Sequence, residues 1–371
     1  MTLTLLLRLT TRCSGCGAPC PYTSKHSTNE VSTYIKDVIN GLTKFVDEGF
    51  DESVVLCPVN LRDEYLHDLV KVLKEVSNSV KVFIPLSEVK SLSKYLASML
   101  NELVIVVGNI STELPTQLRT LITNGIENIS LYTVLSHSSS LELLKWVISV
   151  AKRFGVRVRV GEAPYIGNHI DVHQRLVRYC LGIGLPFGNL YGYRAATTFI
   201  NDYPVTVLFK DPSECRCVYI NPEGKLCRCP LSNECLDLRN ARRDIILNVL
   251  NKPCKLAKPL PYPSIRIDVK LPNGITIPSE ILQLLELIDH TRSLRKACSV
   301  LGVSVSTCIE KLRRVERELG SRLVEGYRGG SKHGYTVLTS LGREVLEVYR
   351  DVRGAIIDSL ISKNIVNFSI D

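Results

Sequence analysis

Leu3-Thr-Leu-Leu-Leu-Arg-Leu9, followed almost at once by Thr11-Arg-Cys13-Ser-Gly-Cys16-Gly-Ala-Pro-Cys20-Pro-Tyr22, is the stretch on which the fold turns. An apolar run this short, ending in glycines and prolines, reads as a buried strand. It lacks the small-residue cleavage site of a signal peptide, and no apolar run of the chain reaches bilayer length. Working outward, apolar runs recur at Ser53 to Cys57, Val80 to Ile84, Leu103 to Val107, Ile129 to Thr133 and Val156 to Val160. Amphipathic segments of helical length separate them, at 31–46, 62–77, 87–100, 115–124 and 140–154. Strands alternating with helices imply right-handed crossovers and a parallel sheet. About six β/α units are expected, as an open barrel or a doubly wound sheet.

The cysteines come next. The chain has 371 residues, 13 of them cysteine, and a formal charge of +9. A cytoplasmic setting is expected, with clustered thiols binding metal rather than forming disulfides. Cys13, Cys16 and Cys20 follow the first strand at its carboxyl end, where parallel α/β folds place their chemistry. Three thiolates can hold a [4Fe–4S] cluster and leave one iron open, and zinc is also allowed by ligand type. The second group lies in Glu214-Cys-Arg-Cys-Val-Tyr-Ile-Asn-Pro-Glu-Gly-Lys-Leu-Cys-Arg-Cys-Pro-Leu-Ser-Asn-Glu-Cys235. Its Asn-Pro-Glu-Gly turn predicts a hairpin that gathers Cys215, Cys217, Cys227, Cys229 and Cys235 around zinc or a second iron–sulfur cluster. Cys57, Cys180, Cys298 and Cys308 read as small buried hydrophobes.

A cysteine triad after strand one, a following helix and about six β/α units resemble the radical S-adenosylmethionine (radical SAM) superfamily. The Glu-Gly-Lys-Leu-Cys segment is similar to hairpins found beyond the barrel in several of its enzymes. The resemblance implies a partial barrel, a [4Fe–4S] cluster and binding of S-adenosylmethionine. This chain departs from it in two places. Its triad is spaced C-x2-C-x3-C where the superfamily has C-x3-C-x2-C, and Cys57-Pro-Val-Asn60 stands where a Gly-Gly-Glu-Pro segment is expected. Both departures count against S-adenosylmethionine binding and ordinary activity, and leave open whether the chain is an enzyme.

Further along, 161–169 and 185–193 are rich in glycine and aromatic residues and are expected to close over a ligand, with His169 and His173 as candidate contacts. Prolines at 253, 259, 261, 263, 272 and 278 mark a connector. The expected organisation is a β/α domain at 1–165, a cysteine-rich extension at 166–250, a linker at 251–278 and a C-terminal domain at 279–371.

That last domain reads as a winged helix-turn-helix. Ser279 is expected to cap a helix through Ile288, Ser293 a second through Leu301, and Ser304 a third from Val305 to Leu319 closed by Gly320. Leu323 to Glu325 and Tyr335 to Leu338 read as strands flanking a basic, glycine-rich loop, and Thr339 caps a last helix. In this geometry Ser304, Ser306, Thr307, Lys311 and Arg314 face double-stranded DNA, while Arg328, Lys332 and His333 contact its backbone.

Ser293-Leu-Arg-Lys-Ala-Cys298, Lys311-Leu-Arg-Arg-Val-Glu-Arg-Glu-Leu-Gly320 and Arg328-Gly-Gly330 resemble the DNA-binding domain of ModE-type regulators, itself similar to the LysR-type winged helix. That resemblance implies a homodimer on a two-fold operator. The function expected from the sequence is therefore a transcriptional regulator with a metal-bearing, radical SAM-like sensory domain and a small-molecule effector of unknown identity, and no membrane partner. The alternative is a radical SAM-type iron–sulfur enzyme with an appended winged helix.

Overall fold

The computed structural model describes residues 3–8, 34–43, 49–56, 63–92, 94–135, 139–162, 176, 188–209, 217–221, 223–228, 235–238, 244, 266–301, 303–327 and 335–362. Contacts divide the chain into two compact units. One comprises 1–173, 189–194 and 208–259, the other 174–188, 195–207 and 260–371.

The first unit alternates strand and helix in the order β1 (Thr4–Arg8), α1 (Tyr34–Leu42), β2 (Glu52–Leu56), α2 (Asp63–Val76), β3 (Val80–Pro85), α3 (Lys94–Met99), β4 (Glu102–Val106), α4 (Glu113–Thr123), β5 (Ile129–Leu135), α5 (Ser139–Phe154) and β6 (Arg157–Glu162). Next come β7 (Gly188–Leu190), β8 (Tyr193–Ile200) and β9 (Tyr203–Phe209), each divided between the two units, and then the short strands β10 (Cys217–Ile220), β11 (Lys225–Cys227) and β12 (Cys235–Asp237) of the first. Each of the first five strands pairs in parallel with the next in sequence. This monotonic order decides between the two arrangements the sequence left open. Right-handed crossovers that always step the same way put every helix on one face, whereas a doubly wound sheet must reverse direction. The sheet is therefore the open, barrel-like kind.

Amphipathic spacing explains the helical face. In α2, Leu66, Leu69, Val70, Leu73 and Val76 are all buried, one stripe at three- and four-residue intervals. The segment expected as one helix at 87–100 is instead a 3-10 turn at Leu86–Ser91 followed by α3. Leu86 and Val89 are the buried residues of that turn, and their three-residue spacing suits its tighter winding.

The cysteine-rich hairpin forms as expected, since Asn221 Oδ1 accepts from the amides of Glu223 and Lys225 and Gly224 takes φ 72°. Its placement is new: β10 runs parallel to β1, pairing Thr4 with Cys217 through Leu7 with Ile220, and so extends the sheet at its first edge.

In the second unit, β13 (Val269–Lys270) and β14 (Thr276–Ile277) form a small hairpin before α6 (Ser279–Thr291), α7 (Leu294–Leu301), α8 (Val305–Leu319), β15 (Val324–Tyr327), β16 (Tyr335–Leu338) and α9 (Ser340–Ser362). Ser304 Oγ accepts from the Thr307 amide, Gly320 closes α8 at φ 64°, and Thr339 Oγ1 accepts from Gly342. One expected cap differs. Pro278, not Ser279, precedes α6, and the Ser279 amide donates to Asp268 Oδ1 at 2.8 Å, a cap from eleven residues upstream that local patterns do not reveal. Ile281, Leu285, Ile288, Ala297, Leu312, Val315, Leu338, Val345 and Tyr349 share one buried core. Glu286 on α6, 3% exposed, is held by Arg353 and Arg350 of α9.

Candidate functional site

Alternation along the strands sends Leu5, Val55 and Leu103 toward the helices and a second set of side chains to the opposite face of the sheet. That second face is polar at its amino-terminal end. Thr4 Oγ1 donates to Glu52 Oε1 at 2.9 Å, and Lys81 Nζ pairs with Glu52 Oε2 at 2.5 Å. Ser130 donates to Glu102, and Arg157 and Arg159 each stand 3.5 Å from the Glu102 carboxylate. All six of the parallel strands contribute, each through its first or third residue or close to it.

The centre of this network is sealed from water. Arg159 is 1% exposed and Glu102 4%. Burial alone would raise the Glu102 carboxyl, but the cations of Arg157, Arg159 and Lys81 and the Ser130 hydroxyl outweigh it and hold the pKa at about 2. The seal is Tyr191, fully buried, at φ 56° ahead of Gly192 at φ 76°. Its ring meets Phe83 edge-on at 4.8 Å and lies 5.0 Å from Lys81 Nζ. Burial first, and then the Glu102 charge, push its phenol well above the usual range. The Gly192 amide donates to Glu52 Oε1 at 3.1 Å. A Cβ on Gly192 would collide with Cys217 Sγ, and one on Gly161 with the Tyr132 phenol. The aromatic, glycine-rich stretch at 185–193 was expected to close over a ligand; its described part instead forms a floor under the amino-terminal ends of the strands.

The chemistry expected at the other end falls outside the described residues, as Cys13, Cys16, Cys20, His169 and His173 all lie there, and so does Cys57, expected as a small buried hydrophobe. Arg8, the last residue of β1, is 6% exposed and shares the polar face with Thr4 by alternation.

The second cysteine group is arranged otherwise than expected. Cys227 and Cys235, directly opposed in the β11–β12 register, are joined as a disulfide. The Cys217 thiol donates to the Gly192 carbonyl at 3.0 Å. Cys215 and Cys229 lie outside the described residues. Three of the five thiols thus have other partners in this arrangement. Among the described residues no three His, Cys, Asp or Glu side chains come together as a metal site.

At the start of α8 the Ser304 hydroxyl bonds those of Ser306 and Thr307, at 2.9 and 2.7 Å, and Lys311 Nζ pairs with Glu280 at 2.5 Å. Arg314 is exposed. Arg328, Lys332 and His333 lie outside the described residues. No helix among the described residues is long and apolar enough to cross a membrane.

No protein-family model matches the chain, and no curated protein matches it in sequence. Solved structures do. SuiB of Streptococcus suis bound to S-adenosylmethionine is 10% identical, with a TM-score of 0.42 over 66% of this chain and 63% of that one. SuiB bound to the precursor peptide SuiA is 12% identical, with a TM-score of 0.46 over 66% and 64%. Native anSMEcpe with bound AdoMet is 10% identical, with a TM-score of 0.41 over 67% and 80%. The chain thus spans a little under two thirds of the length of SuiB. Two of these neighbours are described with S-adenosylmethionine or AdoMet and one with a precursor peptide, none with DNA, and the expectation of a transcriptional regulator with a double-stranded DNA partner is corrected accordingly. Surface hydroxyls and arginines on a helix are equally compatible with a solvated face, and here the hydroxyls and Lys311 already satisfy one another and Glu280.

Proposed function

We propose that the first unit is an iron–sulfur enzyme domain of the radical SAM type, with Cys13, Cys16 and Cys20 as the ligands of a [4Fe–4S] cluster. The single observation that carries this reading is the monotonic parallel order of β1 to β6, with the cysteine loop leaving the carboxyl end of the first strand. In such sheets that end is where loops converge on substrate. The donor set fits the cluster, since three soft thiolates among glycines and prolines leave one iron without a protein ligand. When bound, such a cluster would supply reducing electrons for chemistry on S-adenosylmethionine.

The chain's own residues have separable tasks. Glu52, Lys81, Glu102, Arg157, Arg159 and Tyr191 close the sheet's polar face from below, so that a reactive species held above them is reached by water only through the rim. Gly161 leaves room for the Tyr132 phenol on that face. The segment Cys57-Pro-Val-Asn60 supplies no glycine for close backbone approach, so a cofactor's amino group would need a different partner here. We read the C-terminal helices and hairpin as a winged helix appended to this domain, beginning near residue 279.

The test is anaerobic purification of the whole chain, analysis of iron, sulfide and zinc, and incubation with S-adenosylmethionine and a strong reductant. Iron with matching sulfide and repeated formation of 5′-deoxyadenosine are expected. Zinc without iron in strictly anaerobic protein would sink the reading.

A further inference from the structure

A groove of about 1150 Å³ follows α8 in the second unit. Ser306, Ile309, Arg313, Glu316 and Gly320 line it at three- and four-residue intervals, which is one face of the helix. Leu294 of α7 and Val324 of β15 line it too and, with Ile309, are partly exposed apolar side chains. We propose that this groove docks an extended acidic peptide, which adds a strand to β15. Such a site lies in the second unit alone and does not depend on a cluster in the first.

β15 pairs only with β16, in a two-stranded sheet, and so keeps one open edge. The Thr339 amide donates to the Leu323 carbonyl, whereas the Thr336 amide turns away from β15 and donates to the Arg292 carbonyl. In an antiparallel ladder bonded and non-bonded pairs alternate, and the register sets Val324 against Leu338 and Gly326 against Thr336 as the non-bonded ones. Val324 and Gly326 therefore turn their amides and carbonyls to the open edge. Glu316 Oε1 accepts from the Val324 amide at 3.2 Å. Among the described residues the Val324 carbonyl and both backbone groups of Gly326 are left for a further strand.

The edge calls for a strand, and the charge beside it sets that strand's sign. Arg313, Arg317 and Arg322 are exposed at the groove, and among the described residues none of them meets a carboxylate. Glu310 is the exposed acid there, and Glu316 already accepts from the amides of Leu323 and Val324. Side chains alternate along a strand, so apolar residues at every second position meet Leu294, Ile309 and Val324, and acidic residues between them reach the arginines. Main-chain bonds supply affinity and the side chains specificity. A nucleic acid shares the charge but has no backbone amides to donate to the Val324 and Gly326 carbonyls.

The test titrates the full chain into a short fluorescein-labelled peptide in which Val and Glu alternate, read by fluorescence anisotropy. Saturable binding is expected. Two further peptides carry N-methyl groups on all valines or on all glutamates, and one of the two should bind at least about tenfold more weakly, because only every second amide faces β15. Gly326→Pro removes an outward amide without touching the β15–β16 ladder, and a Cβ there meets nothing within 4 Å, so it should weaken binding while thermal unfolding stays unchanged. Arg313→Glu with Arg322→Glu should turn the preference toward a peptide in which Val and Lys alternate. Three results would overturn the proposal: no saturable binding by the wild-type chain, equal binding of the plain and both N-methylated peptides, or duplex DNA that binds more tightly than the peptide and displaces it. All three are read on the wild-type chain and do not depend on whether the variants fold.

Discussion

The Arg159 guanidinium stands 3.5 Å from the Glu102 carboxylate at a place in the sheet where neither group reaches water. A buried pair of this kind adds little net stability over an apolar pair, yet breaking it is costly, because the survivor keeps its charge without its partner. Glu102 serves Arg157, Arg159 and Ser130 together, so Glu102→Gln should destabilise the chain by about 3–5 kcal/mol, measured by urea unfolding. Adding Arg159→Met should restore part of that loss. A fully additive double variant would mean that the two side chains do not act as a pair.

Acid should expose the same group. The Glu102 pKa is lowered from its usual 4.5 to about 2 in the folded chain. Its contribution is therefore complete above the unfolded value and disappears as pH falls from about 4.5 toward about 2. With a linkage of about 1.4 kcal/mol per pH unit, roughly 3 kcal/mol is at stake. Unfolding free energy measured across that window should fall more steeply in the wild type than in Glu102→Gln. Parallel slopes would assign acid sensitivity to other carboxylates.

Gly161 and Tyr132 face each other across the β5–β6 pair, and a methyl group at 161 would meet the Tyr132 phenol. Gly161→Ala should cost about 1–3 kcal/mol through overpacking. Tyr132→Leu in the same chain should relieve much of it, which a double-mutant cycle measures. Gly125→Ala is the useful contrast: no atom crowds that position, and any cost there comes from its φ of 84°.

Where pattern and local chemistry decide the structure, the sequence was legible. Ser304, Gly320 and Thr339 act at the helix ends where their chemistry places them, and the alternation of apolar runs with amphipathic segments yields β1 to β6 in order. Contacts between distant segments were not legible. Nothing local to Cys217–Ile220 says that it pairs with Thr4–Leu7, and nothing local to Ser279 says that Asp268 caps its amide. Tyr191 read as part of a ligand loop because its ring is aromatic and its neighbours are glycines; only its packing against Lys81 and Phe83 makes it a plug. The regulator reading failed for a related reason. A helix carrying Lys311 and Arg314 has the charge a nucleic acid needs, but charge on a surface names no partner.

Arg350 and Arg353 both reach Glu286 from α9, and their environments rank them. Arg353 is 17% exposed and touches both carboxylate oxygens at 2.5 and 2.7 Å, while Arg350 is 34% exposed and meets Glu286 at 3.4 Å. Arg353→Met should therefore cost about 2–4 kcal/mol, since it strands most of a buried charge. Arg350→Met should cost under about 1 kcal/mol, as solvent-screened pairs do. Equal losses in thermal unfolding would mean that Glu286 is shared evenly between them.

The two cysteine groups should separate cleanly under chemistry. If Cys13, Cys16 and Cys20 are the cluster ligands, changing all three to Ala should remove iron and its visible absorption from anaerobically purified chain. The Cys227–Cys235 pair should be untouched, because its sulfurs are bonded to each other across a single strand pair and have no share in the first loop. Alkylation without reductant should then leave Cys227 and Cys235 unlabelled, and reductant should expose both. The converse variant, Cys227→Ser with Cys235→Ser, should keep full iron content while loosening β11 and β12, seen as faster amide exchange at Leu226 and Leu236. Loss of iron in that variant would place Cys227 and Cys235 among the metal's ligands and restore the metal-bound hairpin that the sequence first suggested.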